Sequence, residues 1–323
     1  MERTEVEKFD SESSESIDWE KNNRKRNQVL GNSMDQIRCI TKTSLEYPKK
    51  MMQYPSMPAK LYVKGRMPDP DKITVAVIGA RMCSPYGRIQ AFRYAKELSQ
   101  AGVQIISGMA LGIDSEGHKG ALEGKMPTFA VLGSGVDVCY PKTNKKLYER
   151  ILWENGGIIS ECPLGSEPVS WHFPARNRII SALSDSLVVV EAKKRSGSLI
   201  TADAALEQGK DVYAVPGRFG DVLSDGCNAL IGQGAGIIYD LDIFLQNLGY
   251  LPEKNVETTK IKNISLDKSE KLVYGCLGFH SRYINYIIEE TGLDLITVLH
   301  SLDKLKRYGL VQETFQNYFC KRI

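Results

Sequence analysis

Arg176, Asn177 and Arg178 open an apolar stretch, HFPARNRIISALSDSLVVVEA (172–192), whose pattern reads as a helix leading into a buried strand. A helix N-terminus already carries unpaired N–H groups and partial positive charge. Two guanidinium groups placed there are unfavourable unless something negative lies against them. Trp171 and Phe173 stand just before the arginines. Rings beside cations suit single-stranded nucleic acid, because bases stack on rings while cations follow phosphates, each stacked base contributing about 1–3 kcal/mol. Phe173 reads equally well as a hydrophobic staple under the helix start. Helical spacing sets Arg176 on the face of Ile180 and Leu183, pointing inward, and leaves Arg178 on a freer face.

Enzymatic patterns are thin. GARMCSPYG (79–87) does not match GxGxxG, GALEGKM (120–126) is one residue short of a P-loop and ends in Met, and no GxSxG occurs. His118 and His172 read as rim-loop residues without HExxH or paired metal-ligand spacing, hence as structurally satisfied histidines. Asp114 and Ser115 read as caps of the helix that follows them. Glu161 and Glu191 end strands, where a carboxylate can do chemistry or pair with an arginine such as Arg178; pairing is the favoured reading. No catalytic residue, metal or cofactor is expected. The seven cysteines are odd in number, scattered and free of any CxxC, which fits reduced thiols in a cytosol.

The elements that position these residues follow from periodicity. Strand candidates are 73–79, 103–107, 128–133, 157–161, 186–192 and 211–217; helix candidates are 87–101, 115–124, 144–155, 174–184 and 199–209. This alternation argues for an α/β fold with an extended, Rossmann-like, doubly wound and mostly parallel sheet. Ligands then bind beyond the carboxyl ends of the strands, near the point where strand order reverses. The loops there hold most of the glycines, together with Arg81, Lys142, Arg176, Arg178, Lys193, Lys194, Arg195 and Arg218. Glycine-rich turns with cations at one edge suit a polyanion containing phosphate. Around this core, 73–250, residues 1–30 read as a disordered tail. Residues 31–72 read as an extended arm, with prolines at 48, 55 and 58 that break helices. Residues 251–265 read as a linker and 266–323 as a winged-helix-like domain. The net charge of +3 does not indicate nucleic acid by itself, so any basic surface must be local. The acidic start, MERTEVEKFDSESSES, is no secretory signal, and no apolar run reaches the roughly 18 residues of a membrane span. A cytoplasmic protein is expected.

Six segments, GARMCSPYG, SGMALGIDSEGHKGAL, VLGSGVDVCYPKTN, HFPARNRIISALS, VVVEAKKRSGSLITADAALEQGKDVYAVPG and DGCNALIGQGA, resemble in order and spacing the DprA/Smf family of DNA-processing proteins. The likeness runs from about residue 47 to 240. It implies an extended Rossmann fold, homodimerisation, binding of single-stranded DNA without sequence preference, and delivery of the RecA recombinase onto that DNA during natural transformation. No enzymatic activity or cofactor is implied. Arg81 stands at the arginine of the family's Gly-Ser-Arg motif and Lys142, in YPKTN, at a second basic position. Phe173, Arg176, Asn177 and Arg178 match the FPxRNR segment, and Ser196, Gly197 and Ser198 the SGS phosphate loop. Two positions depart from the pattern: Ala80 stands where a small hydroxyl residue is usual, and Ser170 leaves the approach to Phe173 without a cation.

Two other readings compete. A nucleotide-binding or nucleotide-hydrolysing enzyme could use the same rim, but its phosphoribohydrolase relatives carry PGGxGT where this chain has KKRSGSLIT. A basic run with one glycine suits a chain of phosphates better than one monophosphate. A regulator could instead read duplex DNA through the tail domain. Its candidate recognition helix, DLITVLHSLDKLKRYG, carries Asp294 and Asp303 among few cations, which suits an interaction or dimer role better than a major groove.

Overall fold

The computed structural model describes residues 36–249, 266–278 and 281–321; the tail read at 1–30 and the linker read at 251–265 lie outside the described residues. The chain divides into two compact units, Met1–Pro252 and Glu253–Ile323.

The segment read as an arm supplies two strands and a short helix: β1 (Ile37–Thr41), α1 (Lys49–Met52) and β2 (Lys60–Gly65). Pro48, Pro55 and Pro58 fall in the connection between the strands. The Tyr47 hydroxyl closes that connection by donating to the Pro58 carbonyl at 2.6 Å. Lys50 pairs with Asp185 at 2.8 Å, and Asp185 also accepts from the Thr74 amide at 2.8 Å.

Six parallel strands follow as their apolar, β-branched composition requires: β3 (Thr74–Ile78), β4 (Gln104–Ser107), β5 (Thr128–Val131), β6 (Gly157–Ser160), β7 (Ser186–Val189) and β8 (Asp211–Ala214), with a two-residue β9 (Gly236–Ile237). Among the described residues they form a nine-stranded sheet in the order β1-β2-β6-β5-β4-β3-β7-β8-β9. β2 joins β6 antiparallel, and the strands from β6 to β9 are parallel. β3 is buried on both faces. Its Ala76 and Ile78 pack with α5 (His172–Leu183), α6 (Gly197–Glu207) and α7 (Asp225–Gly232). Its Val75 and Val77 pack with α2 (Pro85–Gln100), α3 (Ile113–Glu123) and α8 (Leu241–Asn247); α4 (Lys145–Trp153) packs beside β5 and β6. From β3 the chain lays down β4, β5 and β6 on one side, then returns to place β7, β8 and β9 on the other. The strand order therefore reverses between β3 and β7, and the loops leaving these two strands face the crevice of a doubly wound sheet.

The second unit holds α9 (Lys268–Cys276), α10 (Ile284–Thr291) and α11 (Leu295–Arg307) around one core, with β10 (Arg282–Tyr283) and the hairpin β11 (Val311–Phe315), β12 (Tyr318–Lys321) forming a three-stranded sheet. Asp267 and Glu270 build a capping box at the start of α9.

Candidate nucleic-acid interface

The loop after β3 is held on three sides. The Ala80 amide donates to the Glu191 carbonyl at 2.7 Å, and the Ile113 amide donates to the Ala80 carbonyl at 3.2 Å. Gly112, at φ +76°, presses so close that a Cβ would lie 2.3 Å from the Ala80 carbonyl oxygen and 2.5 Å from that of Arg81. Only glycine offers that conformation without strain and that approach. Sequence reasoning passed over Gly112, although a glycine directly before a helix start is a visible signal. The loop thus presents Arg81 outward, exposed and without an ion pair among the described residues. Its guanidinium carbon lies 5.2 Å from the Phe173 ring centroid, within cation–π range.

Phe173 sits in the first turn of α5, not before it. The staple reading therefore gives way: the ring leans on Gly133, where a Cβ would stand 3.0 Å from it, and meets the Tyr140 ring at 5.5 Å and 36°. Tyr140, 40% exposed, is a second aromatic that the sequence reading missed. Lys142 follows in a short turn, Lys142–Asn144, exposed and without an ion pair among the described residues. Asn144 anchors that turn by donating to the Met109 carbonyl at 2.8 Å.

The opposite wall is the start of α6. Ser196 is its N-cap residue but its side chain caps no amide; its hydroxyl instead meets that of Ser198 at 2.6 Å. The first-turn N–H groups thus keep the partial positive charge of an open helix end. Asn177 joins the walls, donating to the Gly197 carbonyl at 3.2 Å and accepting from Arg176 Nε at 3.3 Å. Between the walls lies a cleft of about 690 Å³, lined by Arg81, Tyr140, Phe173, Asn177, Lys193 and 196–198 among others.

Arg176 lies beneath this cleft, 4% exposed, inward as its spacing predicts. Its Nη1 donates to the Gly108 carbonyl at 2.6 Å and to the Val131 carbonyl, tying together the ends of β4 and β5. Burial pushes its pKa down to about 10, Asp114 opposing that shift and Arg81 adding to it, so it stays a cation at neutral pH. Burial raises the pKa of Asp114, with Arg176 and two backbone amides opposing. Asp114 does not cap α3, whose N-cap residue is Gly112; it accepts instead from the amides of Gly108 at 3.1 Å and Ala110 at 3.4 Å. Nor does Ser115 cap: its hydroxyl donates to the Ala110 carbonyl at 2.6 Å.

Arg178 is not on a free face. Its guanidinium is bound by the Glu161 carboxylate, and its Nη1 lies 4.0 Å from the Met57 sulfur in the β1–β2 segment; it does not line the cleft. Glu161 pairs as expected. Glu191 does not pair with an arginine: buried, it accepts from the amide and hydroxyl of Ser84, and so fixes the start of α2.

His118 lies inside α3 and is buried, not in a rim loop. Its Nδ1 is 2.8 Å from the Thr128 hydroxyl, which itself donates to the Ile105 carbonyl. The ring must therefore donate through Nδ1, leaving Nε2 without a partner. Burial pushes its pKa down from 6.5 to about 3. A depressed folded pKa gives stability that is complete above 6.5 and lost as pH falls toward 3. Across that window each pH unit removes up to about 1.4 kcal/mol. Urea denaturation from pH 7 to pH 3 should show this slope in the wild type and a flatter one in His118→Leu; parallel profiles would refute it. His172, at the start of α5, is bonded at 3.1 Å to the Gly133 carbonyl.

Among the described residues no three His, Cys, Asp or Glu side chains cluster to hold a metal, and no helix is long and apolar enough to cross a membrane. In the second unit the cations of the last turns of α11 are all engaged: Lys304 with Asp267 and Glu270, Lys306 with Glu313, Arg307 with Asp303. The helix exposes Leu295, Ile296 and Leu299 instead, a poor surface for duplex phosphates.

A doubly wound sheet with an arginine over an aromatic shelf, free of ion pairs among the described residues and facing an open helix start at its switch point, defines a Rossmann-like protein with a cleft lined by cations and rings. The family model for DNA recombination-mediator protein A matches residues 38–249, and the chain belongs to that family. Protein Smf of Escherichia coli (strain K12) is 35% identical over 272 residues, 82% of this chain and 72% of that protein. The X-ray structure of DNA processing protein A from Streptococcus pneumoniae superposes with a TM-score of 0.61 at 35% identity, covering 73% of this chain and 83% of that one. DNA processing protein A from Helicobacter pylori, whose structure addresses its single-stranded DNA binding mode, has a TM-score of 0.61 at 32% identity, covering 68% of this chain and 99% of that one. The resemblance read from the six segments holds, and with it the Rossmann-like fold.

Proposed function

We infer that this chain binds single-stranded DNA without sequence preference in the switch-point cleft, and that as a homodimer it delivers the strand to the RecA recombinase. The observation that carries the binding step is Arg81, unpaired and stacked over Phe173 beside Tyr140, across a cleft from the uncapped start of α6. Rings for bases and cations and amides for phosphates are what an unpaired strand needs. The single-strand binding mode described for the Helicobacter pylori relative supports the ligand. Membership of a recombination-mediator family supports the recombinase, and the dimer is what the resemblance to that family implies. The protein acts by binding, with no catalytic step: Glu161, Glu191 and Asp114, the carboxylates nearest the rim, are each engaged in structural bonds. Asn177 and 196–198 complete the contact set of the cleft, Lys142 adds an exposed cation outside its lining, Arg176 positions the floor, and Arg178, held by Glu161, stays outside.

The test is a titration of labelled oligo-dT and of the matching duplex at several salt concentrations. Wild type should prefer the single strand and show a steep salt slope, and Arg81→Ala with Lys142→Ala should lose both. Tight duplex binding that survives the double substitution would overturn the reading, as would turnover of a nucleotide with release of free base.

A further inference from the structure

A second cavity, of about 530 Å³, opens on the far side of the α6 start. Ser196, Gly197 and Ile200 line both it and the switch-point cleft, so a single ridge separates the two. Gly197 is exposed on that ridge, and a Cβ added to it would meet nothing within 4 Å. The crossing is open. On the far side stand Lys194 and Arg195, both exposed and neither in an ion pair among the described residues. With Lys193 they make three consecutive cations that repel one another, an arrangement no contact in the fold requires. The cavity wall is apolar where α7 closes it, at Ala229 and Leu230, and Asp203 is the one carboxylate in its lining. Cations beside an apolar wall, one step from the ring-lined cleft, offer a phosphate its charge and a base an apolar face, although no ring among the described residues lines this second cavity.

We propose that this second cavity is a further nucleotide subsite: the strand that fills the cleft crosses the ridge at Gly197, sets a following base against the α7 wall, and places its phosphates on Lys194 and Arg195. The proposal rests on the single-strand reading above. It assigns a function to the basic run 193–195 and gives the bound strand a path from the β3 loop, over the α6 start, to α7.

The test is the length dependence of binding, with oligo-dT from about 4 to about 16 nucleotides, the span of site sizes that single-strand binders show. Wild-type affinity should rise in two stages as first the cleft and then the cavity is filled. Ala229→Leu narrows the cavity from an exposed position on α7 without changing charge and without adding a ring on which a base could stack. It should bind the shortest oligomers like wild type and lose the second stage, about tenfold at the longest, as for one base face kept off an apolar wall. Lys194→Ala with Arg195→Ala should lose the same stage and lower the salt slope by about 2 for long oligomers only. A wild-type length curve from folded Ala229→Leu, with Arg81→Ala still defective at every length, overturns the subsite alone. Wild-type binding by Arg81→Ala overturns the cleft reading and the subsite with it. Equal losses at all lengths in the lysine–arginine variant reduce the run to general attraction and also overturn the subsite.

Discussion

Arg81→Ala should weaken oligo-dT binding about a hundredfold, and Phe173→Ala should weaken it nearly as much without the two losses adding. A guanidinium on a phosphate is a charge-assisted contact, and hydrogen bonds to charged groups contribute about 1.5–3 kcal/mol. Here the group is also pre-positioned. Gly112 and the Glu191 carbonyl hold its backbone, and the Phe173 ring lies 5.2 Å from its guanidinium carbon. Removing the ring frees the arginine as well as deleting a stacking surface, so a double-substitution cycle should return a coupling of about 0.5–3 kcal/mol. Arg81→Lys separates charge from shape. An ammonium keeps the Coulomb attraction but neither stacks on the ring nor forks onto a phosphate, so the salt slope should persist while affinity falls partway. In Arg81→Ala that slope should drop by about 1. Strictly additive losses would mean that ring and cation serve different ligands, and an unchanged slope would remove Arg81 from the phosphate path. Thermal melts of the free variants supply the control, since an exposed arginine with no ion pair among the described residues should leave stability nearly unchanged.

How much of this was legible in the sequence depended on the range of the interaction involved. The runs that became β3 to β8 were visible because burial on both faces demands continuous apolar, β-branched segments. The switch point followed from their alternation with helices, and Arg81 was found because it trails the first of them. Arg176 was placed correctly because helical spacing is local. Arg178 was read in two ways: helical spacing alone set it on a freer face, whereas the strand-end carboxylates pointed to the pairing that Glu161, 17 residues away, makes; the Met57 contact, 121 residues away, is one that no periodicity reports. Glu191 likewise takes its partner, Ser84, from 107 residues back. His118 read as a rim-loop residue because it closes the glycine-rich segment that trails the second strand, with Gly117 before it and Gly120 just after. Those glycines serve close packing instead: a Cβ on Gly120 would stand 2.1 Å from the Phe92 carbonyl of α2, and one on Gly117 would stand 3.3 Å from Val77 of β3. Tyr140 escaped notice because an aromatic in an irregular loop has no pattern to betray it. Only the folded chain shows that it borders Phe173.

The largest effect on stability should come from Arg176→Met. The guanidinium sits in a buried position, bonded to the Gly108 and Val131 carbonyls and close to buried Asp114. Breaking a buried charge arrangement from one side costs about 3–5 kcal/mol, because the remaining charge loses its compensation. The charge left behind is identifiable, so the loss should be recoverable: Asp114→Asn, itself destabilising in the wild type because it strips buried Arg176 of its counter-charge, should restore much of the stability of Arg176→Met. The Asn side chain keeps an oxygen for the Gly108 and Ala110 amides but carries no charge. The pH dependence gives a second reading. The folded pKa of Asp114 already lies above its ordinary 3.8 through burial, and Arg176 is what holds it down. Without Arg176 it rises further. A carboxyl with a raised folded pKa favours the fold while protonated, so the deficit of Arg176→Met should be smallest below pH 3.8 and grow as pH rises through the folded value. His118 acts in the same direction, since Arg176 helps to depress its pKa. Denaturant midpoints for the two single variants and the double variant, taken across the acid range, measure the coupling. If Arg176→Met is equally damaging in the Asp114→Asn background and its deficit does not change with pH, the arginine serves only as a strut between the β4 and β5 loops. In that case the field beneath the cleft, which Arg81 shares, is not set by this pair.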